Sequence, residues 1–329
     1  MGRIVKVPFK GIFQILKESF SRFGDDKIAK LSGSLAYSTI FSMGPLLIVV
    51  ISLSGIFLGQ EAVEGKIYEQ LKGFLGPESA IQLQDIIKNA SVSGNSKLAA
   101  ITGGITLLIG ATAIFSEIQD SINGIWGIKP KPKKGWIKFL QNRFLSFSLI
   151  VGLGFLLLVS LGVNTLIDGF NARLQVWFPE VSVLLFYVIN ILLTATIVTV
   201  IFAVIFKVLP DADIMWKDVR AGAFATALLF MIGKLGISFY ISKSNVGSVF
   251  GAASSLVIVL LWEYYSSIIL YFGAEFTKAW SVKYGLPIKP NHYAVTTKLV
   301  EVQTGHATIQ QNEKEVVDIK REGSSPENS

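Results

Sequence analysis

The chain has 329 residues, 51% of them hydrophobic and 16% charged, with a formal net charge of +7. A soluble domain carries about 25% charged residues, and the charges missing here are absent from blocks long enough to cross a bilayer, which takes about 20 apolar residues per helix. An ordinary soluble domain is therefore excluded and an all-α polytopic membrane protein predicted; with no cysteine, disulfides and thiolate metal sites are excluded too.

Residues 1–30 form a basic segment. It has no long apolar core followed by a small-residue cleavage site, so it does not read as a cleaved secretory signal. Lys6 stands where a myristoylation signal wants Ser or Thr. Phe9, Ile12, Phe13, Leu16, Phe20 and Phe23 recur at helical spacing, with Lys10, Gln14, Lys17 and Ser21 on the other face. That pattern predicts an N-terminal interfacial helix on the anionic lipid of the inner leaflet. The alternative is a helix packed on the bundle.

Residues 31–284 hold six apolar runs, at about 33–58, 98–118, 144–166, 181–208, 219–240 and 249–276, read as six transmembrane helices. The first loop is long. "KIYEQLKGFLG" and "ESAIQLQDIIKNA" each read as a short amphipathic helix, broken at Gly76-Pro77, which predicts an external helical hairpin. Lysine and arginine concentrate before the first run, in "GIKPKPKKGWIKFLQNR", at Lys207, Lys217 and Arg220, and after the last run. The alternate loops are poorer, so the positive-inside rule places both termini in the cytoplasm. An even number of spans agrees. The tail, residues 285–329, is polar with nearly balanced charge and reads as disordered.

Polar residues inside the runs are the candidate functional groups. Lys234 stands in "LLFMIGKLGISFY" and Glu263 in "LLWEYYSS". A charge at the bilayer centre costs about 2.5–3.5 kcal/mol on insertion scales, and such residues usually face the interior and pair. The two lie within roughly 10 Å of each other along the membrane normal at about 1.5 Å per residue. Either they pair, directly or through water, or Lys234 snorkels outward while Glu263 is satisfied elsewhere; both readings stand. Asn164 and Asn190 are the other polar residues of a candidate substrate path, while Glu117 and Glu275 lie near cytoplasmic ends. Gly247, Gly251 and Ser255 recur every four residues, a stripe that admits close helix packing. Pro45 should kink the first span. Trp126, Trp136, Trp177, Trp216 and Trp280 fall at span ends and read as interface anchors. Trp262 lies mid-span, where aromatic rings would shield Glu263 from lipid.

Five stretches carry a resemblance: "LAYSTIFSMGPLLIVVISLSG", "FLGPESAIQLQDIIKNA", "DSINGIWGI", "FKVLPDADIMWKDVRAGAFATALLFMIGKLGISFYI" and "VFGAASSLVIVLLWEYYSSIILYFGAEFTKAW". Together, over roughly residues 31–284, the chain resembles the YihY/BrkB family of bacterial inner-membrane proteins, formerly named ribonuclease BN. The resemblance implies a six-helix inner-membrane protein. It implies little about activity, for which envelope maintenance, lipid handling and transport have been suggested.

The older family name raises the question of RNA cleavage, which needs an acid–base pair or clustered metal ligands. His292 and His306 both lie in the tail. Asp211, Asp213 and Asp218 read as a turn and helix-start caps. No enzyme, metal, cofactor or specific nucleic-acid binding is expected. Two functions from different classes follow: a transporter or lipid translocase with a polar path near Lys234 and Glu263, or a non-transporting envelope scaffold that docks protein partners. No GxxxxGK[ST] loop is present to power transport.

Overall fold

The computed structural model describes residues 8–41, 96–130, 179–244, 250, 254–292 and 294–297. Pro45, Asn164, Gly247, Gly251, the hairpin of the first loop, the third span and the tail beyond residue 297 lie outside the described residues. Asn190 and Ser255 fall within helices, but their side chains are outside the description too. The chain divides into a unit of residues 1–296 and a second of residues 297–329.

Helix α1 (Phe9–Asp25) follows Pro8, whose extended backbone leads into the first turn. It stops where Lys27 takes a left-handed φ of 51°, with the Asp26 and Lys27 N–H groups donating back to Arg22 and Gly24. The chain then enters α2 at residues 28–41. Helix α3 (Ser96–Trp126) ends at Gly127, whose φ of 68° suits a residue without Cβ. Helices α4 (Pro179–Val208), α5 (Trp216–Lys243) and α6 (Ser254–Tyr284) follow. Among the described residues, three helical stretches are long and apolar enough to cross a membrane: Ile191–Val208, Trp216–Ile237 and Leu256–Tyr284. Leu192, Ile232, Leu235 and Phe239 are exposed on them, as lipid-facing side chains must be. At about 1.5 Å per residue α6 is roughly 46 Å long, more than the ~30 Å hydrocarbon core.

Helix α5 packs along both α4 and α6, while α1 and α3 pack on α6. The α5–α6 seam is made by small residues. Gly222 and Thr226 of α5 face Thr277 and Gly273 of α6. Each threonine hydroxyl donates to the glycine carbonyl one turn back in its own helix, Thr226 to Gly222 and Thr277 to Gly273, both at 2.7 Å. The seam is therefore tight and internally satisfied. Farther along it Gly233 lies against the Tyr265 ring, whose hydroxyl reaches the Leu229 and Phe230 carbonyls at 3.1 and 3.3 Å. Trp262 meets Phe230 edge-on at 6.0 Å, and Phe230 meets Phe202 of α4 likewise. That ring chain holds three helices together; Trp262 is a packing residue here.

Four short strands depart from the all-α expectation. β1 (Ile128–Pro130) pairs antiparallel with β4 (Ala294–Thr296), and β2 (Ala212–Asp213) with β3 (Lys289–Pro290). The residues after α6, expected to begin a disordered tail at 285, instead form a strap under the bundle up to Thr296. Leu286 N–H donates to Asp218 Oδ2 at 3.2 Å, its carbonyl accepts from the Ser281 hydroxyl at 2.7 Å, and Asn291 N–H donates to the Asp211 carbonyl at 3.0 Å. The strap is polar because it spends its backbone groups on loops distant in sequence.

Trp126 is a second departure. It is buried, and its indole N–H donates to the Ala274 carbonyl at 3.0 Å, so it joins α3 to α6 and is no interface anchor. Trp216, at the start of α5, is exposed. Trp126→Phe is expected to lower thermal stability in detergent by about 1 kcal/mol, the usual net worth of one hydrogen bond. Trp216→Phe, measured beside it, should change little.

Candidate functional site

Glu263, Ser267, Tyr271 and Glu275 recur every four residues along α6 and so share one face. Two residues correspond to about 200° of helix, so Tyr265, which faces α5, points away from Glu263. The polar face turns to α3: Ser121 and Glu117 lie beside Tyr271, and Lys278 Nζ donates to the Ile125 carbonyl at 2.5 Å. Ser267, Tyr271 and Glu275 are all buried. The buried hydroxyls of Ser32, Ser266 and Ser267 have no hydrogen-bond partner among the described residues, the condition under which a site takes up water or a polar ligand.

Lys234 and Glu263 are each half-buried. On α5, Lys234 continues the face of Val219, Ala223, Ala227 and Phe230, the first three of which are core residues. On α6, Glu263 continues the face of Ser267, Leu270 and Ala274. Both helical faces turn to the bundle interior. The contacts of Gly222 with Thr277 and Gly233 with Tyr265 fix an antiparallel register in which Lys234 is level with Tyr265. Glu263 is two residues from that level, about 3 Å along the axis.

At the α1 end the polar face closes on a buried carboxylate. Glu275 is 0% exposed, with Arg22 Nη1 at 3.5 Å from one oxygen and Lys278 Nζ at 3.5 Å from the other. Arg22 also holds Glu18 at 2.8 Å, and Asp26 lies next to Glu275. A buried carboxylate between two cations is costly to break and contributes little net stability intact.

Asp211 stands at the bend expected there, but none of the three aspartates caps the start of α5. Asp211, 2% exposed, accepts from Gln119 Nε2 and Asn123 Nδ2, both at 3.0 Å. Its own N–H donates to Asn123 Oδ1 at 2.8 Å. Helix α5 starts after Met215 with no side-chain cap; Asp218, in its first turn, accepts from Leu286 N–H and Ser281, serving the end of α6. Asp213 pairs at the surface with Lys207 at 3.3 Å. Among the described residues no group of three His, Cys, Asp or Glu side chains converges to hold a metal. Sequence reasoning missed Gln119 and Asn123. Their signal was present in "SEIQDSING", where amides four apart end an apolar helix.

The family profile described as "Virulence factor BrkB" matches residues 19–294. Among curated proteins, a UPF0761 membrane protein of Haemophilus influenzae is 26% identical over 78% of this chain and 91% of its own length. One from Pseudoalteromonas atlantica is 26% identical over 77% and 81%, and one from Aggregatibacter aphrophilus 28% over 78% and 88%. No solved structure matches the chain. The match runs from the last turns of α1 to the first residue of β4, so it takes in the α5–α6 seam, the α6 polar face and the Asp211 corner alike: this chain is an integral membrane protein of the BrkB family.

Proposed function

We propose that the chain is a six-span protein of the bacterial inner membrane, with both termini cytoplasmic, that conducts a polar or anionic group across the bilayer along the interior face of α6. The group is a phospholipid headgroup or a small anionic solute. One observation carries this reading: the face of Glu263, Ser267, Tyr271 and Glu275 runs from mid-helix to the α1 end, and the buried hydroxyl of Ser267 on it has no hydrogen-bond partner among the described residues. A helix kept only for packing has no use for such a face, since each unsatisfied buried polar group costs about 1–3 kcal/mol.

In this reading Lys234 attracts the anion and Glu263 is its resting counter-ion. Exchange of one partner for the other on binding gives a two-state element. Asn164 and Asn190 belong to the same path. The test is movement of headgroup-labelled phospholipid, zwitterionic and anionic, in proteoliposomes. Wild type should exceed empty liposomes, and Lys234→Ala and Ser267→Leu should each slow it about tenfold or more, the rate equivalent of about 1.4 kcal/mol. Exchanging the two charges, Lys234→Glu with Glu263→Lys, should restore part of the loss. No movement under any lipid or ion gradient would remove the lipid headgroup and leave a small anionic solute or the envelope scaffold.

A further inference from the structure

Helix α1 has three faces where an interfacial helix needs two. Gly11, Ile15 and Ser19 are buried: Ile15 packs with Phe276 and Ala279 of α6, and a Cβ at Gly11 would strike the Tyr284 hydroxyl. About 140–160° round from Ile15, at about 100° per residue, Phe13 and Phe20 stand outward, 67% and 73% exposed. The third face carries Lys10, Gln14, Lys17 and Ser21, all exposed, with Asp25 at its carboxyl end and Glu18 at its border paired with Arg22. Docking on α6 accounts for the first face only.

Phe20 lies edge-on to Phe272 of α6 at 6.4 Å and stacks on Phe23 at 6.2 Å. Lys283 of α6 donates to Gln14 Oε1 at 2.6 Å, bringing a third lysine to the polar face. We propose that α1 is a docking surface for an anionic lipid leaflet, held on the bundle by Gly11, Ile15 and Ser19. Phe13 and Phe20 enter the acyl boundary. Lys10, Lys17 and Lys283 lay their stems along it and set their ammonium groups on lipid phosphates. The occupant is lipid because Phe13 and Phe20 stand exposed on the side of α1 away from the bundle and Lys10, Lys17 and Lys283 flank them.

The chain has no cysteine, so Phe13→Cys and Ser21→Cys each create one labelling site, and both positions are exposed enough to leave the fold intact. The proteins, labelled with nitrobenzoxadiazole, are placed in nanodiscs of phosphatidylcholine with and without phosphatidylglycerol. The label at position 13 should emit further to the blue and be bleached by dithionite severalfold more slowly than the label at position 21. Adding Lys10→Gln and Lys17→Gln should reduce that protection in the phosphatidylglycerol discs and leave it unchanged in phosphatidylcholine alone. Equal bleaching at both positions would overturn the proposal and assign the face to a protein partner. Protection that ignores phosphatidylglycerol and the lysines would overturn its anionic part.

Discussion

Replacing Gly273 by alanine is expected to cost the folded protein about 1–3 kcal/mol, and by leucine more, because a well-packed seam has no room for added carbon. A Cβ there would lie 2.6 Å from Thr226 Cγ2 and 2.9 Å from its Cβ. Thr226 cannot swing aside: it is fully buried and its hydroxyl is tied to Gly222. The loss should appear as a lower melting temperature in detergent. Pairing Gly273→Ala with Thr226→Gly should recover most of it, a coupling that a double-mutant cycle reads directly. The mirror substitution, Gly222→Ala, meets Thr277 Cβ at 2.7 Å and its backbone Cα at 3.0 Å. Since the backbone itself is in the way, Thr277→Gly should rescue it less well. Equal rescue at both sites would refute this account of the seam.

Asp211→Ala is expected to destabilise by about 2–4 kcal/mol, since two buried amide donors lose a charged acceptor. Asp211→Asn should recover little of that. Asn123 cannot flip its amide, because its oxygen already accepts the residue 211 N–H while its nitrogen donates to Oδ2. Gln119 donates to the other oxygen. An asparagine at 211 must therefore turn an NH2 toward a donor on one side or the other. Thermal melting of the two variants in detergent checks this. A melting temperature for Asp211→Asn within a degree or so of wild type would mean that Gln119 repacks as an acceptor.

The sequence makes the apolar helices legible because burial in lipid needs only length and composition, and α1 legible because its phenylalanines recur at helical spacing. It conceals what depends on contacts between distant residues. Asp211 is plainly a turn residue in "LPDADIMW", yet its carboxylate is claimed by amides some ninety positions earlier. Gly222 and Gly273 give a weaker small-residue signal than Gly247, Gly251 and Ser255, because their partners are threonines on the facing helix and not glycines on their own. Strands of two or three residues carry no periodicity, so the strap from Leu286 to Thr296 read as tail. In the candidate site, Lys234 and Glu263 stand out as charges, whereas Ser267 and Tyr271 look ordinary until the helix register lines them up with Glu275. In α1 the buried face is Gly11, Ile15 and Ser19, too small and mixed to compete with the phenylalanines for notice.

The strap also dictates an order of events during biosynthesis. Residues 128–130 and 212–213 leave the ribosome long before their pairing partners at 294–296 and 289–290. Chains emerge amino end first, and contacts between distant residues form late. While the helices are being inserted, the loops after α3 and α4 therefore hold unpaired strand edges. Those edges are a standing invitation to chaperones or to misassembly. Residues 286–296 act as a latch that closes only after α6 has been made, and a chain stopped after α6 would lack it.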